Sequence, residues 1–286
     1  VDAADALARK YQELKQEIKA GMSMDYIEKA VDTLIRNDSI IDMPETSAAS
    51  KRIGSSQTRK IAVPQSVLQQ NRVLTPDADP AVIRAYKILR TRVLQRMNQN
   101  GWTTLGITSP SPDNGKTLTA INLSISLARK LDYTVLLVDV DFQRPSLHSY
   151  FGLKPEYGLS DHLLGEVKFG ELLINPGIER LVILPERGTR ESSSELLSST
   201  RMERLIDEVK SRYPSRLVIF DLPPVLVGDD VLAFSNLVDA TLLVVEEGKS
   251  TDEEVRRSME MLENANFMGA VLNKSKNHTE GEAYGY

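Results

Sequence analysis

From Trp102 onward, apolar runs of strand length alternate with helical patterns, and two of the runs, Val135–Val138 and Leu217–Phe220, hold no polar residue at all. A strand with one face in water alternates polar and apolar side chains. One that is apolar at every position suits a parallel strand covered by helices on both faces. The alternation predicts strands over 103–108, 134–139, 180–184, 216–221, 240–246 and 268–273. Helices lie between them, including 116–130, 201–212 and 251–264, the last capped by Thr251 ahead of Asp252-Glu253-Glu254. The fold class is therefore α/β, a mostly parallel sheet with helices on both faces.

The first strand-to-helix turn carries chemistry. Ile107-Thr108-Ser109-Pro110-Ser111-Pro112-Asp113-Asn114-Gly115-Lys116-Thr117 leaves the strand at 104–108 and opens the helix from Leu118. A polar turn closed by Gly-Lys-Thr wraps the phosphates of a nucleotide. Amides at the helix start face the anion, Lys116 reaches the outer phosphates, and the Thr117 hydroxyl can hold Mg²⁺. Pro110 stands where the usual pattern has Gly five positions before Gly115. The loop residues expected to contact nucleotide are Asp113, Asn114, Gly115, Lys116, Thr117 and Leu118.

Two more stations follow in order. The run to Val138 ends in Asp139-Val140-Asp141, and the run to Phe220 ends in Asp221-Leu222-Pro223-Pro224. In a parallel sheet the carboxyl ends of the strands open on the ligand crevice, so these acids lie where Mg²⁺ and a γ-phosphate belong. Asp139 and Asp141 are two apart and share a strand face. One of them can ligate Mg²⁺ while the other receives a proton from an attacking hydroxyl. Arg144 can stabilise the pair or the transferring phosphate, or form an ordinary surface ion pair.

The bulk numbers narrow the setting. At 286 residues the chain can bury one substantial core with appendages to spare. Residues 1–100 hold 16 Lys and Arg against 12 Asp and Glu, and the remainder holds 19 against 28. Between Lys51 and Met97 stand ten basic residues and only two acids, Asp77 and Asp79, a stretch suited to an acidic partner, acidic lipid or a neighbouring subunit. The absence of cysteine excludes disulfides and thiolate metal sites, and His148, His162 and His278 show no ligand spacing. No apolar run approaches the ~20 residues of a membrane span. Any membrane association must then come through a partner or a surface patch.

Leu7, Tyr11, Leu14 and Ile18 form a short amphipathic seam that Gly21 can end, and Met22-Ser23-Met24-Asp25 reads like a translation start. Residues 1–21 are accordingly expected to be a fused segment or tag. A helix and linker fill 22–78, the main domain runs over 79–274, and 275–286 form a polar tail. Asp79-Pro80 starts a helix to about Asn98. Its expected buried stripe is Val82, Tyr86, Leu89, Val93 and Met97, leaving Arg84, Lys87, Arg90 and Arg92 outside.

Together these residues resemble the bacterial tyrosine kinases (BY-kinases), autokinases of capsule and exopolysaccharide export, which carry a P-loop NTPase-type fold. The resemblance spans roughly Asp79 to Lys274. It rests on the 107–117 loop, Leu-Leu-Val-Asp-Val-Asp-Phe-Gln-Arg-Pro at 136–145 and Val-Ile-Phe-Asp-Leu-Pro-Pro at 218–224. Ala-Tyr-Lys-Ile-Leu-Arg-Thr at 85–91, Tyr-Gly-Leu-Ser-Asp at 157–161 and Val-Leu-Asn-Lys at 271–274 support it. The resemblance implies ATP and Mg²⁺ as cofactors, with Lys116 and Thr117 binding them. It makes Asp139 the base, puts Asp141 on the metal side and has Asp221 support Mg²⁺ through water. It implies acceptor tyrosines in the tail, here Tyr284 and Tyr286, phosphorylated within a homo-oligomer. It further implies activation by the cytoplasmic tail of a membrane chain-length regulator (a polysaccharide co-polymerase), an opposing tyrosine phosphatase, no nucleic-acid partner, and a cytoplasmic location at the inner membrane face.

Three departures from the family pattern stand out. Asp113 and Asn114 replace the usual first Gly and Glu of the loop. Arg84-x-x-Lys87-x-x-Arg90 replaces Glu-x-x-Arg-x-x-Arg on the ring-forming helix. The tyrosine cluster shrinks to two. The rival readings are a partition- or division-type ATPase, which usually carries a further lysine early in its loop, and a non-catalytic nucleotide-dependent scaffold.

Overall fold

The computed structural model describes residues 58–130, 132–189, 193–211 and 216–275. The expected fused segment 1–21, the helix predicted after Met24 and the tyrosines of the tail lie outside them.

Eight strands form one sheet: β1 (Arg59–Lys60), β2 (Thr104–Thr108), β3 (Thr134–Asp139), β4 (Ile174–Asn175), β5 (Leu181–Leu184), β6 (Arg216–Asp221), β7 (Ala240–Glu246) and β8 (Phe267–Asn273). The order across it is β1-β4-β5-β3-β6-β2-β7-β8, and every pairing is parallel except β4 with β5. Six of the strands are those read from the sequence, displaced by at most one residue at an end.

Why the sheet is covered on both faces is visible residue by residue. Val135, Leu137, Leu217 and Ile219 enter one core, with Val93, Met97 and Ile121. Leu136, Val138, Val218 and Phe220, their alternates, enter the other, with Met202, Ile206 and Phe234. Period-two geometry divides each apolar run between the two layers, so no position can be polar.

The first layer is built by α2 (Pro80–Asn100) and α3 (Lys116–Ala128), preceded by α1 (Gln65–Gln70). Asp79 caps α2 by accepting from the Ala81 amide at 2.8 Å, and Gly101 ends it at φ 68°, the left-handed conformation that suits a residue without Cβ. Between sheet and α2, α3 is buried almost all round. Two of its polar side chains serve as ties: Asn122 accepts from Leu74 N at 2.7 Å and donates to Arg72 O, and Ser126 donates to Tyr86 O.

Three expectations change here. Residues 58–78, read as linker, contain β1 on the sheet edge and α1, and Val73, Leu74 and Thr75 are buried. Arg90 is not left outside α2, because its guanidinium donates to Ser126 O at 3.0 Å. Val82, assigned to the buried stripe, is 39% exposed.

The short helix α4 (Leu147–Tyr150) joins the first core through Leu147, while the second layer holds the short helices α5 (Leu159–Leu164), α6 (Phe169–Leu172), α7 (Ser193–Leu197) and α9 (Asp230–Ser235). In sequence the longer α8 (Thr200–Ser211) falls between α7 and α9, and α10 (Asp252–Met261) follows α9. Thr251 and Glu254 form the reciprocal capping box of α10. Among the described residues no helix is long and apolar enough to cross a membrane.

Candidate active site

Register brings the stations together. Asp221 at the end of β6 pairs with Asp139 on β3 and with Ile107 on β2, so both acids and the start of the loop share one level at the sheet's carboxyl edge. Strands are about 4.8 Å apart, which sets two fully buried carboxylates side by side.

Lys116, first residue of α3, closes the cluster. Its Nζ lies 2.9 Å from Asp141 Oδ2 and 3.2 Å from Asp221 Oδ1. Thr117 Oγ1 donates to Asp221 Oδ2 at 2.6 Å and accepts from Ser146 Oγ at 3.2 Å. Burial works against the Lys116 ammonium, but Asp221, Asp141 and Asp139 outweigh it and raise its pKa. Burial, then repulsion from Asp221, holds Asp139 well above the usual carboxylate range. Asp221 is raised by burial too, against the pull of Lys116 and the Thr117 bond.

A cavity of about 1010 Å³ opens over this cluster. Asp113, Gly115, Lys116, Thr117, Leu118 and Asp141 lie on its wall, joined by Gln143, Arg144 and Ser146 from the turn after β3 and by Tyr150 of α4. Asp139, Asp221 and Asn114 do not. Asp139 sits beneath the turn, where Oδ1 accepts from Asp141 N and Oδ2 from Ser146 N and Leu147 N, at 3.0–3.2 Å. Asp141 alone of the pair faces the cavity, because β3 ends at Asp139 and the chain turns before Asp141.

The loop is braced from the far end of the chain. Asn273, the last residue of β8, and Lys274 after it donate to the carbonyls of Asn114 and Asp113, each at 2.8 Å, and Lys249 donates to Pro112 O. Ser111 donates to Glu254 of the α10 capping box. The Asn114 side chain is buried and folds the loop on itself, accepting from Ser111 N at 3.0 Å. Asn273 and Lys274 belong to a motif the sequence offered, but their contact with the loop did not follow from it. Position at a strand's carboxyl end was the available signal.

Asp113 adopts φ 66° and its side chain is exposed. Left-handed backbone is what the family's Gly adopts freely, and Asp is among the few other residues that tolerate it. The substitution therefore keeps the loop's shape and adds a negative charge to the cavity wall. Asp113→Gly should tighten nucleotide binding about three- to tenfold, roughly 0.7–1.4 kcal/mol, while the relief of φ strain and Gly's extra unfolded entropy nearly cancel in stability. Titration with a fluorescent ATP analogue checks it, and unchanged or weaker binding refutes it.

The site fits a magnesium nucleotide. Gly115 lies at φ 89° with so little space that an added Cβ would sit 2.2 Å from Asn273 Nδ2, so the backbone itself forms the cradle. Thr117 and the carboxylates supply the hard oxygen donors Mg²⁺ takes.

Comparison with known proteins agrees. The model of the CobQ/CobB/MinD/ParA nucleotide binding domain matches residues 105–284. Tyrosine-protein kinase YwqD of Bacillus subtilis is 30% identical over 223 residues, which cover 77% of this chain and 92% of YwqD. The chain belongs to the bacterial tyrosine-kinase family. Escherichia coli K12 tyrosine-protein kinase etk, another relative, is 34% identical over 198 residues, 68% of this chain and 27% of etk, so this BY-kinase chain spans about a quarter of that relative's length. The solved kinase domain of Escherichia coli tyrosine kinase ETK superposes with a TM-score of 0.65 at 29% identity, covering 80% of the BY-kinase chain and 94% of the solved one.

Proposed function

We propose that this chain is an ATP-dependent protein-tyrosine autokinase acting on tyrosines of its own C-terminal tail, Tyr284 and Tyr286. The observation that carries the reading is the convergence of Lys116, Thr117 and Asp141 on one cavity wall, with Asp221 bonded behind them. Phosphoryl transfer asks for charge neutralisation and alignment more than covalent participation. Loop amides and Lys116 would balance the outer phosphates, and the Thr117 hydroxyl, bonded to Asp221, and Asp141 are the groups that would hold Mg²⁺. Bound there, Mg²⁺ neutralises charge on the phosphates.

The acceptor hydroxyl has a pKa of ~10 and gives up its proton as its oxygen bonds to the γ-phosphorus and ADP leaves. Asp141 Oδ2, on the wall, is the oxygen that can take that proton once Lys116 turns to phosphate. Asp139, whose oxygens already accept three amides, serves by fixing the turn. The base role expected of Asp139 thus passes to Asp141.

The same reading includes regulation of polysaccharide synthesis and export, assembly into a homo-oligomer, and docking of a membrane chain-length regulator's cytoplasmic tail. A tyrosine phosphatase is the opposing partner. Arg84 and Lys87 are exposed on α2, so self-association through that face alone sets like charges together. It should strengthen at high salt.

The test is incubation with Mg·ATP followed by mass mapping of phosphotyrosine. Phosphate is expected on Tyr284 or Tyr286 and is expected to vanish in Asp141→Asn. ATP turnover without phosphotyrosine would instead identify the partition-type ATPase, and nucleotide binding without turnover the scaffold.

A further inference from the structure

Beside the site lies a polar network that the chemistry above does not use. Asp230, at the start of α9, is 2% exposed. Its Oδ2 accepts from Gln143 Nε2 at 2.8 Å, and Ser193 Oγ, at the start of α7, lies 3.0 and 2.9 Å from its two oxygens. Among the described residues no Lys or Arg pairs with it. A carboxylate buried against neutral donors is expensive, and an apolar residue would fill the place at lower cost.

What the carboxylate does provide is polarity. It accepts and does not donate, so Gln143 has to meet it with Nε2 and has a single docked orientation. Gln143 stands on the cavity wall between Asp141 and Arg144, in the turn whose amides run to Asp139 and Asp141. Gly228 packs against the same amide, where a Cβ would touch Nε2 at 3.5 Å. The 228–230 segment thus holds one side chain of the catalytic turn, and Ser193, from a second distant segment, holds Asp230 in turn.

We propose that Asp230 is a positioning residue. By clamping Gln143 it holds the turn from Asp141 to Ser146 so that Asp141 and Arg144 face the acceptor side of the cavity. The effect on turnover rests on the kinase reading, and the placement of the turn does not.

A charge exchange tests this in the full chain. Gln143→Glu sets two carboxylates against each other, Asp230→Ala removes the acceptor, and Gln143→Glu with Asp230→Asn restores donor to acceptor in reverse. With Mg·ATP and a peptide of residues 280–286, kcat should fall roughly 10- to 100-fold in the first two variants. It should recover in the double variant, which keeps the native net charge, with ATP-analogue affinity within about twofold there and in Asp230→Ala.

Hydrogen exchange at the amides of Arg144, Ser146 and Leu147 gives a readout independent of activity. It should quicken in Gln143→Glu and Asp230→Ala and return in the double variant. Unchanged exchange, or a double variant no better than Gln143→Glu alone, overturns the clamp. If the unmodified chain makes no phosphotyrosine, the kinase reading falls and exchange alone decides the clamp.

Discussion

Lys116→Met should reduce autophosphorylation by roughly 10²–10³-fold and should also destabilise the fold, by an amount that depends on pH. The ammonium is the only cation bonded to Asp141 and Asp221 among the described residues, and it also lowers the pKa of Asp139. Methionine keeps the volume of the side chain and removes the charge, leaving three buried carboxylates uncompensated. Taking one partner from a buried pair costs roughly 3–5 kcal/mol.

The sign with pH follows from the shifts. Asp139 and Asp221 have folded-state pKa values above their unfolded ones, so their contribution to stability is full below about 4 and is lost as pH rises through the raised values. Lys116 is raised as well, so its contribution is full below about 10.4 and is lost only above that, as pH rises through its folded value. Between these limits Lys116 offsets the ionised acids, and without it they are protonated or repel one another. Urea melts should therefore show a smaller deficit for Lys116→Met at pH 5 than at pH 8. An equal or larger deficit at pH 5 would mean that the acids are not held by this lysine.

Gly115→Ala should weaken nucleotide binding on the order of 100-fold, or about 2.7 kcal/mol. Two causes act together. At φ 89° an L-residue is strained by about 1–2 kcal/mol, and the new Cβ would lie 2.2 Å from Asn273 Nδ2. Asn273 would have to swing away, breaking its 2.8 Å bond to Asn114 O and releasing one brace of the loop.

The two causes separate in a cycle. Gly115→Ala combined with Asn273→Ala removes the collision but not the strain, so it should bind better than Gly115→Ala and worse than the unmodified chain. Calorimetric titration with ADP and Mg²⁺ measures all three. Native affinity in Gly115→Ala would show that the loop tolerates a side chain there and that the cradle reading is mistaken.

How far the site could be read in the sequence varies by residue. Lys116 and Thr117 were legible because a strand, a short polar turn and a helix occur in immediate succession, and a site at a helix start is built from neighbouring residues. Asp221 was legible because it ends an apolar run. Which of Asp139 and Asp141 faces the cavity was not. Strand periodicity places them on one face, but β3 stops at Asp139, and the amides of Asp141, Ser146 and Leu147 claim its oxygens. Asn114 could be named as a loop residue, but its burial could not, since that depends on Ser111 and Asn273.

Strands of four to seven residues were found to within a residue, while α4, α5, α6, α7 and α9 escaped. Helices of four to six residues are too short for a 3.6-residue period to register. Residues 58–78 read as linker because their apolar positions follow neither period. Their order comes from pairing with β4 and from the side chain of Asn122.

The sequence by itself determined the architecture and the inventory of the site. Burial on both faces of a sheet requires uninterrupted apolar runs, and a phosphate loop requires Gly-Lys-Thr at a helix start; both are properties of neighbouring residues. The tertiary structure decided which acid faces the cavity, what braces the loop and why Asp113 can replace glycine. Those depend on strand register and on groups more than a hundred residues apart, such as Asn273 against Asn114. Their energies arise from burial and pairing that exist only once the sheet has assembled.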